Sequence, residues 1–403
     1  MRALSVLVVT TLALALLPVL LIRAVWGRMN TGRWLEEELV VGRNGISIRQ
    51  KSFAGLALGR RLPRLWHVLT GEYAWVGPRP VGKDDLSDLA IRDLVRLEAR
   101  PGLVSLGTVR QAMGIAHDGI ETLERATALE WRRRDSPALL VKALLTSLVS
   151  RRRTRQGAGF SLFGVEIDDR TMSETVTELI EAAEAKRNLR AAFVNPDCLN
   201  KAFQDDNYLT ALHSADRVYA DGIGLRIAAS WHGHSLSDNV NGTDLFPRLC
   251  QEASRRGLSL YLLGARPGIA AAAAKAMRRA NPSLQIAGTH HGYFRGEQSE
   301  DVCRQVSASG ADLVLVAMGA PRQEIWLQRH HRSLGAPVVL GVGGLFDFYS
   351  GRIPRAPQAW RDLGLEWLFR LWREPSRLWK RYLIGNPLFL YRTVFAGRRD
   401  LMA

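Results

Sequence analysis

The sequence predicts an α/β protein from Phe160 onward: a Rossmann-like, mostly parallel sheet flanked by helices. Two observations carry this. Short apolar runs of strand length alternate with longer stretches whose apolar residues fall three and four apart. The runs also end in glycine-rich loops that open the next helical stretch, as parallel strands feeding crossover helices do.

In chain order, the strand candidates are Arg190 to Val194, Leu258 to Leu263, Leu284 to Gly288, Asp312 to Met318 and Pro337 to Val342. The helix candidates are Met172 to Lys186, Pro196 to Ser214, Asp244 to Arg256, Gly268 to Ala280 and Pro321 to Ser333. Ligands of parallel sheets bind at the carboxyl ends of the strands, so the loops there are the informative ones. They read Asn195-Pro196-Asp197, Ala220-Asp221-Gly222-Ile223-Gly224, Asn241-Gly242-Thr243-Asp244, Gly264-Ala265-Arg266-Pro267-Gly268, Gly319-Ala320-Pro321-Arg322-Gln323-Glu324 and Gly341-Val342-Gly343-Gly344. Glycine at a strand end admits close backbone approach, and the amides of the following helix favour a phosphate.

Around this core the chain divides into 1–150, a basic linker 151–159, the core 160–354, and an appendage 355–403. The segment Ala3 to Ile22 carries no charge and is long enough to cross a bilayer. Arg2 before it, Arg23 and Arg28 after it, and Pro18 within it suit a hairpin that enters and leaves on one side. A plain signal anchor is the competing reading, and the apolar run is too long for a cleaved signal peptide. The linker, Arg151-Arg152-Arg153-Thr154-Arg155 with Gly157 and Gly159, has no apolar face and suits a solvated joint against anionic headgroups. In the appendage Trp360, Trp367, Trp372 and Trp379 interleave with Arg361, Arg370, Arg373, Arg377, Lys380 and Arg381, a composition that suits a bilayer interface. An amphipathic helix packed on the core with a solvated basic face is the alternative.

The formal charge of +16 over 403 residues favours anionic partners: acidic lipid headgroups or phosphorylated substrates. No nucleic-acid-binding motif accompanies it, so no nucleic-acid partner is expected. Cys198, Cys250 and Cys303 are too widely spaced for a metal site or a disulfide framework. His290-His291 and His330-His331 are adjacent pairs whose rings point apart on a helix or strand, so they read as structural or surface residues. No Asp-x-Asp occurs, and Gly264 to Gly268 does not complete the dinucleotide fingerprint. Neither a metal nor another cofactor is expected, and a dehydrogenase reading fails.

Two resemblances add to this. The motifs Asp221-Gly222-Ile223-Gly224, Gly242-Thr243-Asp244-Leu245, Leu262-Leu263-Gly264 and Gly319 to Glu324 stand in order with Gly341-Val342-Gly343-Gly344, Phe348-Tyr349-Ser350-Gly351, Arg355-Ala356-Pro357 and Gly364 to Leu371. Over about 160–395 this series resembles the WecG/TagA/CpsF glycosyltransferases (glycosyltransferase family 26). Near the front, Leu62-Pro63-Arg64-Leu65-Trp66-His67-Val68-Leu69, Val76-Gly77-Pro78-Arg79-Pro80, Val41 to Gly45 and Arg100-Pro101-Gly102-Leu103 resemble the bacterial sugar transferases, monotopic phosphoglycosyl transferases. Those enzymes carry Asp-Glu directly before the Leu-Pro, where this chain has Arg60 and Arg61. A guanidinium stays protonated and serves as neither nucleophile nor base. That domain, closing with an apolar helix around Ala138 to Val149, therefore reads as degenerate: an anchor or a lipid-presenting platform.

The first resemblance implies an inverting transfer from a UDP-sugar to a polyprenyl-diphosphate-linked sugar at the cytoplasmic face of the bacterial inner membrane, in exopolysaccharide or cell-surface polysaccharide biosynthesis. It makes Asp221 the base for the acceptor hydroxyl, against the plainer reading of a turn or capping aspartate. Asn195 would orient a sugar, or merely cap the helix that Pro196 begins. Gly222, Thr243, Asp244, Gly264, Gly319, Gln323 and Glu324 would line the substrates, although Glu324 also suits a helix dipole. Arg355, Arg370, Arg373, Arg377 and Arg381 would meet the diphosphates. One departure stands out: many members carry Thr two residues before the Asn, where this chain has Phe193, so the transferred sugar cannot be copied from relatives. A bifunctional enzyme that also performs phosphoglycosyl transfer and a non-catalytic membrane scaffold are the rival functions. Other polysaccharide-assembly proteins, or a second copy of the chain, are further candidate partners.

Overall fold

The computed structural model describes residue 28 and residues 34–53, 62–86, 89–113, 120–130, 159–361 and 365–395. The apolar segment at 3–22, Arg60 and Arg61, the helix expected from Ala138 to Val149 and the linker 151–158 lie outside the described residues. Among the described residues no helix is long and apolar enough to cross a membrane. The chain forms two compact units, residues 1–152 and 153–403.

The first unit carries β1 (Leu35–Val41), β2 (Ser47–Phe53), β3 (Ala74–Val76), β4 (Val81–Gly82) and β5 (Gly102–Val104). β1 and β2 form an antiparallel hairpin with Leu35 opposite Phe53 and Val41 opposite Ser47, and β4 lies on the other edge of β1. In the hairpin turn, Asn44 and Gly45 take φ of 57° and 77°, the left-handed conformation these two residues reach at least cost. Val40, Ile48, Val68 and Tyr73 form its small core.

The second unit begins with a short hairpin, β6 (Phe160–Leu162) and β7 (Val165–Ile167), followed by β8 (Leu189–Val194), β9 (Arg217–Ala220), β10 (Ser259–Gly264), β11 (Gln285–His290), β12 (Leu313–Ala317) and β13 (Val338–Gly341). The last six form one parallel sheet in the order β11-β10-β12-β13-β8-β9. Its middle strands read as continuous apolar runs because helices cover both faces: Leu313 to Ala317 and Val338 to Gly341 are buried throughout. One face packs on the helices Met172–Glu184, Gly242–Arg256 and Ile269–Ala280 through Leu179, Phe246, Leu249 and Ala273. The other packs partly on Pro196–Ala202 and Ile223–Trp231 through Leu199 and Leu225.

Five expected strands are present with ends displaced by a residue or two. β9 was not anticipated, since its four residues open with Arg217 and offer too few positions for a period to show. The single helix expected over Pro196 to Ser214 is two, Pro196–Ala202 and Asp206–His213. Asp205 breaks it by capping the second, its Oδ1 accepting from the amides of Asn207 (3.0 Å) and Tyr208 (3.2 Å).

The appendage folds as the helices Gln358–Arg361, Glu366–Arg373 and Pro375–Trp379, a π-helical turn Lys380–Ile384, and the helix Gly385–Phe395. That last helix is tied to the core. Phe389 is fully buried, Asn200 Nδ2 donates to the Gly385 carbonyl at 2.8 Å, and Arg392 Nη1 donates to Asn200 Oδ1 at 3.0 Å.

Candidate active site

The connections that leave the neighbouring strands β10 and β12 part at their carboxyl ends: that from β10 leads outward to β11, while that from β12 leads the other way to β13. Such a reversal opens a crevice in a parallel sheet. Gly264 ends β10 with φ of 138°, and a Cβ there would lie 2.4 Å from the Ala317 carbonyl oxygen, so only glycine lets the two strand ends close up. Beyond them lies a cavity of about 800 Å³, lined by the loops after β8, β10, β11, β12 and β13 and by the appendage. That volume suits a nucleotide-sized ligand.

The lining is strongly cationic. Lys201, Arg266, Arg322, Arg352, Arg370, Arg377, Lys380, Arg381 and Arg392 face it, against Asp197 and Asp347. Lys201 pairs with Asp197 at 2.8 Å, Arg352 with Asp347 at 2.7 Å and Arg377 with Glu374 at 2.5 Å. Arg381 stands 3.6 Å from Asp197, and Arg370 lies over the Phe348 ring at 5.2 Å. The surplus of positive charge fits diphosphates.

Asp221 stands beside this cavity rather than in its lining. Its amide donates to the Val194 carbonyl at 2.8 Å, continuing β9 along β8. Gly222 then turns the chain into the helix Ile223–Trp231 with φ of 99°, and its amide donates to Asn239 Oδ1 at 2.6 Å. Among the described residues no donor hydrogen-bonds the Asp221 carboxylate. Burial, then the charge of Glu366, raises its pKa to about 6, with Arg370 and Arg381 opposing and Asp244 assisting. A carboxylate of that kind is mostly ionised at neutral pH yet basic enough to take a proton from a hydroxyl as it attacks.

The other expected residues fall into three groups. Gly319, Arg370, Arg377 and Arg381 line the cavity. Asp244 and Arg355 pair with each other, and Asp244 accepts from Asn241 Nδ2 at 2.8 Å. Thr243 contributes its carbonyl to the Tyr349 hydroxyl at 2.5 Å. The rest stand back. Asn195 uses its Oδ1 as a helix cap, accepting from the amides of Asp197 and Cys198 at 3.1 Å each. Gln323 and Glu324 are buried behind the cavity, and Arg373 is exposed outside it. The Gly319 amide donates to Gln323 Oε1 at 3.1 Å.

Sequence reasoning missed Lys201, Arg352, Arg392 and Glu366. Arg266 and Arg322 sat inside the glycine loops already singled out, where a cation just after a strand-ending glycine was the signal. Arg392 offered none, because it reaches the cavity only through the docking of the last helix. Among the described residues no three His, Cys, Asp or Glu side chains gather into a metal-binding group. A model of the Glycosyl transferase WecG/TagA/CpsF family matches residues 160–401, more than half the chain.

Proposed function

The chain belongs to the WecG/TagA/CpsF family of glycosyl transferases, and from that premise we propose an inverting, metal-independent transfer of a sugar from a UDP-sugar to a polyprenyl-diphosphate-linked sugar. The observation that carries the reading is Asp221, a carboxylate with a pKa of about 6, standing beside a cavity rich in arginine at the carboxyl end of the sheet.

In this reaction Asp221 takes the proton of the acceptor hydroxyl as its oxygen attacks the anomeric carbon of the donor. The bond to the diphosphate breaks on the opposite face, so the configuration inverts. The charge that grows on departing UDP is met by Arg266, Arg322, Arg370, Lys380 and Arg381, all facing the cavity. Arginine suits this task because its planar fork engages phosphate oxygens in pairs.

The acceptor is a lipid, and the appendage supports a membrane-facing role at the cytoplasmic face of the inner membrane, in exopolysaccharide or cell-surface polysaccharide assembly. Trp372, Tyr391 and Phe395 expose large apolar surfaces, and Arg373, Arg377 and Lys380 stand on the same run of helices. The N-terminal unit, with Arg60 and Arg61 in place of an acidic pair, serves as an anchor or lipid-presenting platform.

The test is UDP release. The full chain is incubated with a panel of UDP-sugars and a short-chain prenyl-diphosphate-linked sugar. UDP formation that requires both substrates supports the reading, and its absence across the panel refutes it. With prenyl phosphate as the acceptor, UMP released from the UDP-sugar would show instead that the N-terminal unit performs phosphoglycosyl transfer.

A further inference from the structure

Gln323 and Glu324 open the helix Arg322–His330, yet neither reaches the cavity: their side chains are 2% and 4% exposed. Gln323 Oε1 accepts two hydrogen bonds, from the Gly319 amide at 3.1 Å and from the Gly343 amide at 2.9 Å. Those amides belong to the turns after β12 and β13, adjacent strands, and both glycines line the cavity. One amide oxygen therefore braces two walls of the site.

Only the oxygen of a carboxamide accepts, so this brace fixes which way round the Gln323 amide sits. Its NH2 is turned into the interior, where it needs an acceptor or stands buried and unpaired. Glu324 Oε1 is that acceptor, at 2.6 Å. Without it, the NH2 stands buried and unpaired, so the side chain gains by turning toward another acceptor, and that movement strains or breaks both bonds to the glycine turns. The second Glu324 oxygen has no hydrogen-bond partner, and neither has the buried Tyr208 hydroxyl. Lys201, the nearby cation, spends its ammonium on Asp197 (2.8 Å) and the Ala320 carbonyl (3.3 Å). The carboxyl thus makes one side-chain hydrogen bond, and that bond is to Gln323.

We propose that Glu324 is a positioning residue for donor binding: it orients the Gln323 amide so that its oxygen holds the Gly319 and Gly343 turns at the separation a nucleoside diphosphate requires. This rests on the UDP-sugar reading above and assigns Glu324 a place behind the site instead of in contact with substrate.

The experiment is UDP binding by calorimetry on the full chain, well below the unfolding temperature of every variant. Glu324→Gln retains an acceptor for the Gln323 NH2 and is expected to bind UDP within about threefold of the native protein. Glu324→Leu removes the acceptor and is expected to weaken UDP by about tenfold or more. A role confined to stability would lower the melting temperature of Glu324→Leu and leave its UDP affinity alone. Should Glu324→Leu fail to fold, Gln323→Met, which deletes the brace itself, is expected to show the same loss. Native-like UDP binding by Glu324→Leu or by Gln323→Met overturns the proposal, as does a loss in Glu324→Gln equal to that in Glu324→Leu. Failure of the native protein to bind UDP would instead bring down the donor reading, and this proposal with it.

Discussion

Arg355 sets its Nη2 on Oδ1 of Asp244, tying the first residue of the appendage to the helix Gly242–Arg256. The other Asp244 oxygen accepts from Asn241 Nδ2 at 2.8 Å, and Asn241 Oδ1 accepts in turn from the Asp244 amide at 2.8 Å. Arg361 adds a second, longer approach at 3.9 Å. Two residues expected at the substrates thus neutralise each other and fasten the appendage beside Asp221.

Arg355→Ala should therefore loosen the appendage. It removes the close counter-charge of a partly buried Asp244 and with it the tie between the appendage and the helix Gly242–Arg256. The expected cost is about 1–3 kcal/mol, between an exposed pair and a buried one. Thermal unfolding reads the stability, and limited proteolysis between 355 and 395 reads the loosening. An unchanged midpoint with unchanged protection would refute the fastening.

Asp221 gives the sharpest pH signature. Its pKa of about 6, raised first by burial and then by Glu366, predicts that turnover falls as pH drops through 6 and protonates the base. Asp221→Asn should lower turnover by about 10²–10⁴-fold. The groups facing Asp221 are Glu366 and Arg370 on one helix, Arg381 on the π-helical turn and Asp244 on the core. Glu366→Gln removes the negative charge that acts most strongly on Asp221 and should move the acid limb to lower pH, while an unmoved limb would dismiss Glu366 as a neighbour that matters. The stability consequence has the opposite sign. A carboxyl whose folded pKa is raised stabilises the fold below its unfolded pKa and loses that contribution as pH rises through about 6. Asp221→Asn should therefore unfold at higher temperature than the native protein at pH 8, by on the order of 2 kcal/mol, and show little difference at pH 4.

The sheet was legible because its middle strands are apolar throughout, buried by helices on both faces, and its strands end in glycine turns such as Gly264 and Gly319. What escaped was short or depended on distant contacts. β9 is four residues with a charged start, and Asp205 divides a helix whose apolar spacing continues across it. At the site, a residue type in a loop indicates chemistry but not direction. Gln323 and Asn195 have the same amide group, and both spend its oxygen on backbone amides, Asn195 within its own turn and Gln323 on its own turn and the one after β13. Asp244 and Arg355 are 111 residues apart, so nothing local announces that they meet. Arg266 and Arg322 were readable in principle from the strand-ending glycines before them, whereas Arg392 enters the cavity only because Phe389 anchors its helix.

Gly264 offers a test of the crevice itself. Its φ of 138° is open to glycine, and a Cβ would meet the Ala317 carbonyl oxygen at 2.4 Å, with Ala317 C and N at 2.6 Å. Those contacts are to backbone of the adjacent strand, which cannot move without disturbing the sheet. Gly264→Ala should cost about 2–4 kcal/mol from strain and overlap together. It should also weaken UDP more than it weakens an acceptor analogue, since the displaced turns are those after β10 and β12. Native-like stability and UDP affinity would show that these strand ends have slack, and the crevice would need another explanation.

The cations that line the cavity predict how the leaving group is handled. Nine basic side chains face it against two acids, more than one diphosphate needs. If these guanidinium and ammonium groups neutralise departing UDP, EDTA should leave the rate within about twofold, and added Mg²⁺ should do no more than shield the substrates. Removing cations should have the larger effect. Arg381 stands 3.6 Å from Asp197 and faces both the cavity and Asp221. Arg381→Ala should weaken UDP by about tenfold, from the loss of a charge-assisted bond. It should also raise the pH of the acid limb, because a positive neighbour that favours ionised Asp221 is gone. A steep loss in EDTA restored by a divalent ion, with Arg381→Ala near the native rate, would transfer that role to a metal.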